Sequence, residues 1–246
     1  MIFEAILIFL LGLIFGSFLN SLIYRLYTKL SLWQRSICPK CRNILRLIDL
    51  IPFLSFIFLG GKCKKCRKKI SWQYPLVELI TGILFVLVFL KNGVVDLMLF
   101  RDLFFVFVLI FILVFDWKYY LILDKIVWPA LAMSLILNLF LGLNWLDLIL
   151  GMAIGSGFFL IQYLFSRGQW VGEGDIKLGL LIGAMLGWQS TLLVFILAYL
   201  IGGLVAVILL LASKKKFGDI LPMGTFLAAA AIIVLLAGEK ILSWYF

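Results

Sequence analysis

No histidine occurs anywhere in this 246-residue chain. That absence excludes a Ser–His or Cys–His nucleophile, and it excludes a histidine-ligated catalytic metal. Acidic groups are scarce as well: 12 Asp and Glu stand against 22 Lys and Arg, a formal net charge of +10. Cysteine is confined to four residues, Cys38, Cys41, Cys63 and Cys66. There is no tandem repeat, no low-complexity tract and no strict two-residue alternation of apolar residues, which argues against a β-barrel. For hydrolysis, two carboxylates sharing a proton remain the simplest device available.

Hydrocarbon is what the chain has in excess. Its residues are 65% hydrophobic, with a mean hydropathy of +1.20. A soluble domain cannot hide so much apolar surface, so the solvent is lipid. The expected fold class is all-α: a polytopic transmembrane helical bundle with a cytoplasmic four-cysteine loop. Its candidate spans are 2–24, 74–90, 97–115, 126–142, 147–165, 176–188, 191–212 and 220–238. A full crossing takes about 20 residues, so 176–188 is short for one. The first segment has Glu4 as its only early charge and no small-residue cleavage site, and it reads as a retained helix rather than a signal peptide.

The positive charge is asymmetric. With the loop 25–73 placed in the cytoplasm and the spans alternating, only Lys91, Arg101 and Lys240 fall outside. The other 19 of the 22 basic residues fall inside, including Arg25, Lys118, Lys125, Arg167, Lys177 and Lys214–Lys216. This is the positive-inside pattern. The basic surface therefore points to anionic lipid headgroups as its partner, not nucleic acid. Composition separates a region 1–75, one span plus a long basic loop, from a region 76–246 of nearly continuous helix. Short turns such as Lys91-Asn92-Gly93 and Gly187-Trp188-Gln189-Ser190 divide that second region.

Cys38-Pro39-Lys40-Cys41 and Cys63-Lys64-Lys65-Cys66 are two CxxC knuckles with 21 residues between them. The spacing fits a tetrathiolate zinc site. The alternatives are two disulfides or four free thiols, and a cytoplasmic loop disfavours disulfides. Four protein ligands leave the ion no open position, so its role is structural.

Two polar islands interrupt the apolar pattern: 115–124, holding Asp116 and Asp124, and 172–177, holding Glu173 and Asp175. An ionisable residue beside hydrocarbon is a functional-site hypothesis by default. Asp116 and Asp175 are expected to project into one interfacial layer as an acid–base dyad, which gives a bell-shaped pH dependence. The bland readings are a helix N-cap for Asp175 and an anchor neutralised by Lys118 for Asp116. Asp124, Glu173 and Asp219 are alternates on the same side.

Taken together, these segments resemble a known family. Gly16-Ser17-Phe18-Leu19-Asn20 followed by Arg25, the two knuckles, Asp49-Leu50-Ile51-Pro52-Phe53-Leu54-Ser55, Tyr74-Pro75-Leu76-Val77-Glu78 and Gly172-x-Gly174-Asp175-Ile176-Lys177 are similar to successive motifs of the bacterial prepilin peptidases. Pro222-Met223-Gly224-Thr225-Phe226-Leu227 is similar to their PFGPFL segment, with Met223 and Thr225 replacing Phe and Pro. Leu123 stands where the family has proline.

The resemblance implies a bifunctional membrane aspartyl protease and N-methyltransferase, with Asp116 and Asp175 as the catalytic pair. It implies type IV prepilin-like precursors as substrates, cut after a glycine beside a phenylalanine. The new amine is then methylated from S-adenosylmethionine, and region 1–75 is the methyltransferase-associated part. No glycine-rich adenosylmethionine signature is present. Glu78 is the one acceptor suggested for the amine; its other reading is a partner for a loop lysine or arginine. A protease-only leader peptidase, a non-enzymatic zinc-loop scaffold and a proton-coupled transporter are the competing readings. The cysteine module argues against the first, and the lack of midplane carboxylates against the last.

Overall fold

The computed structural model describes residues 1–216 and 219–245. Among them the chain is helical, with two isolated bridges in the loop and no strand. The helices are α1 (Ile2–Thr28), α2 (Leu54–Phe58), α3 (Gln73–Asn92), α4 (Leu97–Tyr119), α5 (Asp124–Phe140), α6 (Trp145–Ser166), α7 (Glu173–Leu211) and α8 (Met223–Tyr245). Six of them (α1, α3, α4, α6, α7 and α8) are long and apolar enough to cross a membrane. The protein is a multi-pass membrane protein. α5, at 17 residues with Pro129 inside it, is slightly shorter.

The chain divides into two compact units, Met1–Val95 and Asp96–Phe246. Composition shifts after residue 75, but the compact division falls later because α3 packs on α1. The contact is a ladder with a four-residue step: Gly12 faces Gly82, Gly16 faces Glu78, and Asn20 Nδ2 donates to Tyr74 O at 3.0 Å. Small residues at that spacing let two backbones meet.

In the second unit, α7 is two antiparallel helices. Gly187 breaks it with φ 76° and ψ 177°, outside the helical region. Residues equally far to either side of the break then meet the same stretch of α6. Phe159 touches Gly179 on the outgoing arm and Phe195 on the returning arm. Tyr163 donates to Glu173 Oε1 at 3.3 Å, while Tyr199 donates to Gln162 Oε1 at 3.0 Å. The expected segments 176–188 and 191–212 are thus distinct helices joined at the turn. The outgoing arm, Glu173 to Leu186, is only about 21 Å long at 1.5 Å per residue, short of a ~30 Å hydrocarbon core.

The turn is capped from both sides. Asn138 of α5 donates to the carbonyls of Ala184 (2.7 Å) and Met185 (3.2 Å), which the break deprives of helical partners. Asp147 of α6 accepts from the Trp188 amide, the first of the returning helix. Asn138 is held in turn by Arg101, whose guanidinium pairs with the fully buried Asp102 at 2.7 Å. Against α6, the outgoing arm packs backbone to backbone: a Cβ on Gly155 would overlap Gly179, and one on Gly183 would overlap Gly151. The returning arm brings Lys215 over the Tyr120 ring at 6.0 Å, at the same end of the unit as Asp116.

Candidate active site and candidate metal centre

The second unit gathers three helix ends around Ile122. α4 stops just after Asp116 because Tyr120 turns left-handed (φ 55°) and its amide bonds back to Asp116 O. Ile122 in the following loop fills the space beside two glycines. A Cβ on Gly174, at the start of α7, would come within 3.0 Å of Ile122, and one on Gly224, at the start of α8, within 2.9 Å. The latter would also lie 3.0 Å from Asp116 Oδ2. Leu123 is extended, with φ −87° and ψ 122°, so the turn reaches α5 without proline.

Asp116 is 5% exposed and Asp175 9%, and the two flank the same side chain, Ile122, through Gly224 and Gly174. Asp116 Oδ2 accepts from the Thr225 amide at 2.7 Å and the Thr225 hydroxyl at 3.1 Å. Asp175 Oδ2 accepts from the Gly172 amide at 3.0 Å, reaching back to the residue that precedes α7. Helix capping therefore occupies one of the two carboxylate oxygens of Asp175. In both residues the bonds fall on Oδ2, which leaves Oδ1 for water or a peptide.

The alternates are separated from this pair by exposure. Asp124 has a 55% exposed side chain and pairs with Lys177 at 2.7 Å. Glu173 is exposed beside Tyr163, and Asp219 is exposed and caps the Lys216 amide. Lys118 lies over the Tyr119 ring at 5.2 Å. Asp102, the carboxylate that sequence reasoning passed over, belongs to the Arg101 network. Its signal is an Arg-Asp pair inside an apolar run, of which the sequence reading took only Arg101, as a charge outside.

In the first unit, each knuckle repeats one local design. The Cys38 amide donates to Asn43 O and the Cys63 amide to Lys68 O; Arg42 (φ 54°) and Arg67 (φ 56°) turn back onto the cysteine carbonyls. Lys65 Nζ reaches Asn43 Oδ1 at 3.1 Å and joins the two. All four Sγ atoms lie within 4.8 Å of one another. A tetrahedral ion with Zn–S bonds near 2.3 Å needs sulfur–sulfur edges of roughly 3.8 Å, so this thiol set fits a metal. The amides of Cys66 and Lys65 help hold the Cys63 thiol down at about 7. The Asn43 amide lowers Cys41, yet desolvation and the other three thiols push it up to about 11.

Glu78 is buried beneath this loop. Its Oε2 accepts from the Phe53 amide at 2.8 Å, and the Ser17 hydroxyl also bonds it. Its partners are thus a loop amide and a serine, not a lysine or arginine. Phe53 carries φ 60° and ψ −48°, and the Leu54 amide reaches Pro52 O at 2.6 Å, a strained γ-turn that Glu78 pins. Nearby, Asn20 Oδ1 is buried with no hydrogen-bond partner. Arg25 braces the loop entry through the carbonyls of Leu32 and Gln34.

These features define a multi-pass membrane protein with two buried aspartates in one unit and a four-thiol cluster in the other. Comparison with known proteins gives the family. The Bacterial Peptidase A24 N-terminal domain matches residues 10–92, and the Type IV leader peptidase family matches residues 103–208. The chain is 36% identical over 241 residues to the prepilin leader peptidase/N-methyltransferase of Bacillus subtilis (strain 168), covering 97% of this chain and 96% of that protein. Proteins of the same description from Aeromonas salmonicida (strain A449) and Pseudomonas aeruginosa are 33% and 32% identical, over 97% and 96% of this chain and 92% and 91% of theirs. No solved structure matches the chain. The chain belongs to the type IV leader peptidase family.

Proposed function

We propose that the protein is a bifunctional prepilin peptidase that removes the basic leader from type IV prepilin-like precursors and N-methylates the residue exposed. The observation that carries the proteolytic half is the buried pair Asp116 and Asp175, each anchored through Oδ2 with Oδ1 left for chemistry. One carboxylate, ionised, takes a proton from water as the water oxygen attacks the scissile carbonyl carbon. The other, protonated, gives its proton to the carbonyl oxygen. On collapse one carboxyl gives its proton to the leaving amide nitrogen while the other carboxylate takes a proton from a hydroxyl of the tetrahedral diol, so the pair ends with the single proton it began with. The cut falls after glycine, so the new N-terminus is the phenylalanine that opens the pilin helix.

The site lies on the cytoplasmic side of a bacterial inner membrane in this reading. Arg167, Lys177 and Lys214–Lys216 cluster near the helix ends that carry the pair, as the positive-inside rule requires. Cys38, Cys41, Cys63 and Cys66 hold zinc, which staples a loop too polar and too small to build its own core. For methylation, S-adenosylmethionine supplies an electrophilic methyl group when bound. The unpaired acceptor Asn20 Oδ1 and the carboxylate of Glu78, on the α1–α3 contact, fit an amino group as ligand, and Glu78 is the group that takes its proton.

The test incubates the full-length protein, in detergent micelles, with a prepilin precursor and S-adenosylmethionine, and reads products by mass spectrometry. The expected product lacks its leader and carries one methyl on the new amine. Cleaved but unmethylated product leaves only the protease; uncleaved precursor overturns the proposal. Glu78→Gln is expected to spare cleavage and depress methylation.

A further inference from the structure

We infer that Thr225 is a positioning residue that keeps Asp116 the ionised member of the pair, so that Asp175 is the member that carries the proton. The inference rests on the dyad reading above and assigns its two roles. Thr225 is the third residue of α8 and is 6% exposed. Its amide and its hydroxyl both point at Asp116 Oδ2, at 2.7 and 3.1 Å. The hydroxyl also lies 3.3 Å from Leu113 O, but its single proton favours the nearer, charged acceptor. The amide needs no such choice. Asp175 Oδ2, by contrast, receives one donor, the Gly172 amide.

Donors aimed at a carboxylate favour its charged form, and the positive end of a helix adds to them. Asp175 sits at the start of α7 with one donor. Asp116 lies in the last turn of α4 with its carboxylate at the start of α8, so its two helix ends oppose each other, and the two direct donors on it outweigh the smaller helix-end effect on Asp175. Among the described residues the other ionisable groups around the pair are engaged elsewhere: Tyr199, on the returning arm of α7, donates to Gln162 Oε1 at 3.0 Å. α7 faces Asp116 with Asp175 itself. The first turn of α8 is Met223-Gly224-Thr225-Phe226, with no charge. On α5, Asp124 is engaged by Lys177, and Lys215 from the end of α7 sits over Tyr120. The family segment that 222–227 resembles has proline where this chain has Thr225. Proline has neither an amide proton nor a hydroxyl to give. This chain therefore holds its water-activating aspartate with two bonds that the resembled pattern lacks.

In the reaction, Asp116 takes the proton from the attacking water while Asp175 gives its proton to the peptide carbonyl. The test is the pH dependence of kcat/KM for leader cleavage by the full-length protein, whose acidic limb reports the ionised partner in the free enzyme. Thr225→Ser keeps both donors and is expected to retain the wild-type profile. Thr225→Val removes the hydroxyl and is expected to move the acidic limb upward by about one pH unit, the worth of one hydrogen bond to a charged group. Thr225→Pro removes both donors and should move it further in the same direction. Thermal melting of each variant separates a change of profile from a loss of fold.

Wild-type profiles in folded Thr225→Val and Thr225→Pro, alongside an inactive Asp116→Asn, overturn this assignment and leave the dyad standing. An Asp116→Asn protein that still cleaves overturns the dyad, and this inference with it.

Discussion

The two units of the molecule solve the same problem, fixing a polar site beside lipid, by opposite means. In the first, the polar segment is a long loop between α1 and α3, organised by thiols, backbone turns and one buried glutamate. In the second, the polar groups sit on helix ends whose positions follow from backbone-to-backbone packing and a capped turn. A loop of that kind buries little apolar surface, and its four clustered thiols could hold a metal to order it. The helix bundle is held by packing instead: Gly151, Gly155, Gly179 and Gly183 bring α6 and α7 into contact and the Asn138 network satisfies the broken helix. The lesson is that a loop gathered around four thiols and a bundle gathered by helix packing coexist in one chain and can be broken separately.

The largest expected effect is on metal removal. Cys38→Ser, or stripping by a strong chelator, should unfold the 37–70 loop, since structural zinc contributes on the order of 10 kcal/mol to small sites. Hydrogen exchange would then rise across that loop and stay unchanged in α4–α8; equal loosening of both units would erase the distinction. Next comes Gly179→Leu, which forces α7 off the α6 backbone. It is expected to destabilise the second unit by about 3–5 kcal/mol, read as a lower unfolding midpoint, while zinc content stays at wild type.

Asn138→Leu is a smaller break. It leaves the Ala184 and Met185 carbonyls without their donor and Arg101 with Asp102 alone, at a cost of about 2–4 kcal/mol. Greater protease sensitivity at the 184–190 turn would report it; unaltered sensitivity would mean the network does not hold the turn. Smallest is Lys177→Ala. The exposed Lys177–Asp124 pair contributes less than about 1 kcal/mol, so stability should hardly change, and raised salt should mimic the substitution.

Much of the plan was readable from residue types. The CxxC spacing pointed to a tetrathiolate set, and the four sulfurs do cluster. The spans were legible from hydrocarbon alone, and the interruption at Gly187-Trp188-Gln189-Ser190 separated the two arms of α7. Other features were illegible because they depend on contacts distant in sequence. Thr225 meets Asp116 across 109 residues, and neither residue's neighbours announce it. Asn138 serves carbonyls 46 and 47 positions away, a role invisible in an apolar run. The compact division after Val95 follows from α3 matching α1 through small residues, whereas composition responds only to the loop's charge.

The central claim is that Asp116 and Asp175 act together as one hydrolytic device. Leader cleavage by Asp116→Asn, Asp175→Asn and the double variant tests it most directly, each with a pre-cleaved pilin peptide as a methylation control. The account predicts that either single change lowers cleavage by at least roughly 10²–10⁴-fold and that the double variant is no worse, as expected of groups that work as a unit. Methylation of the pre-cleaved peptide should persist in all three. Substantial cleavage by either single variant, or losses that multiply in the double, would contradict it.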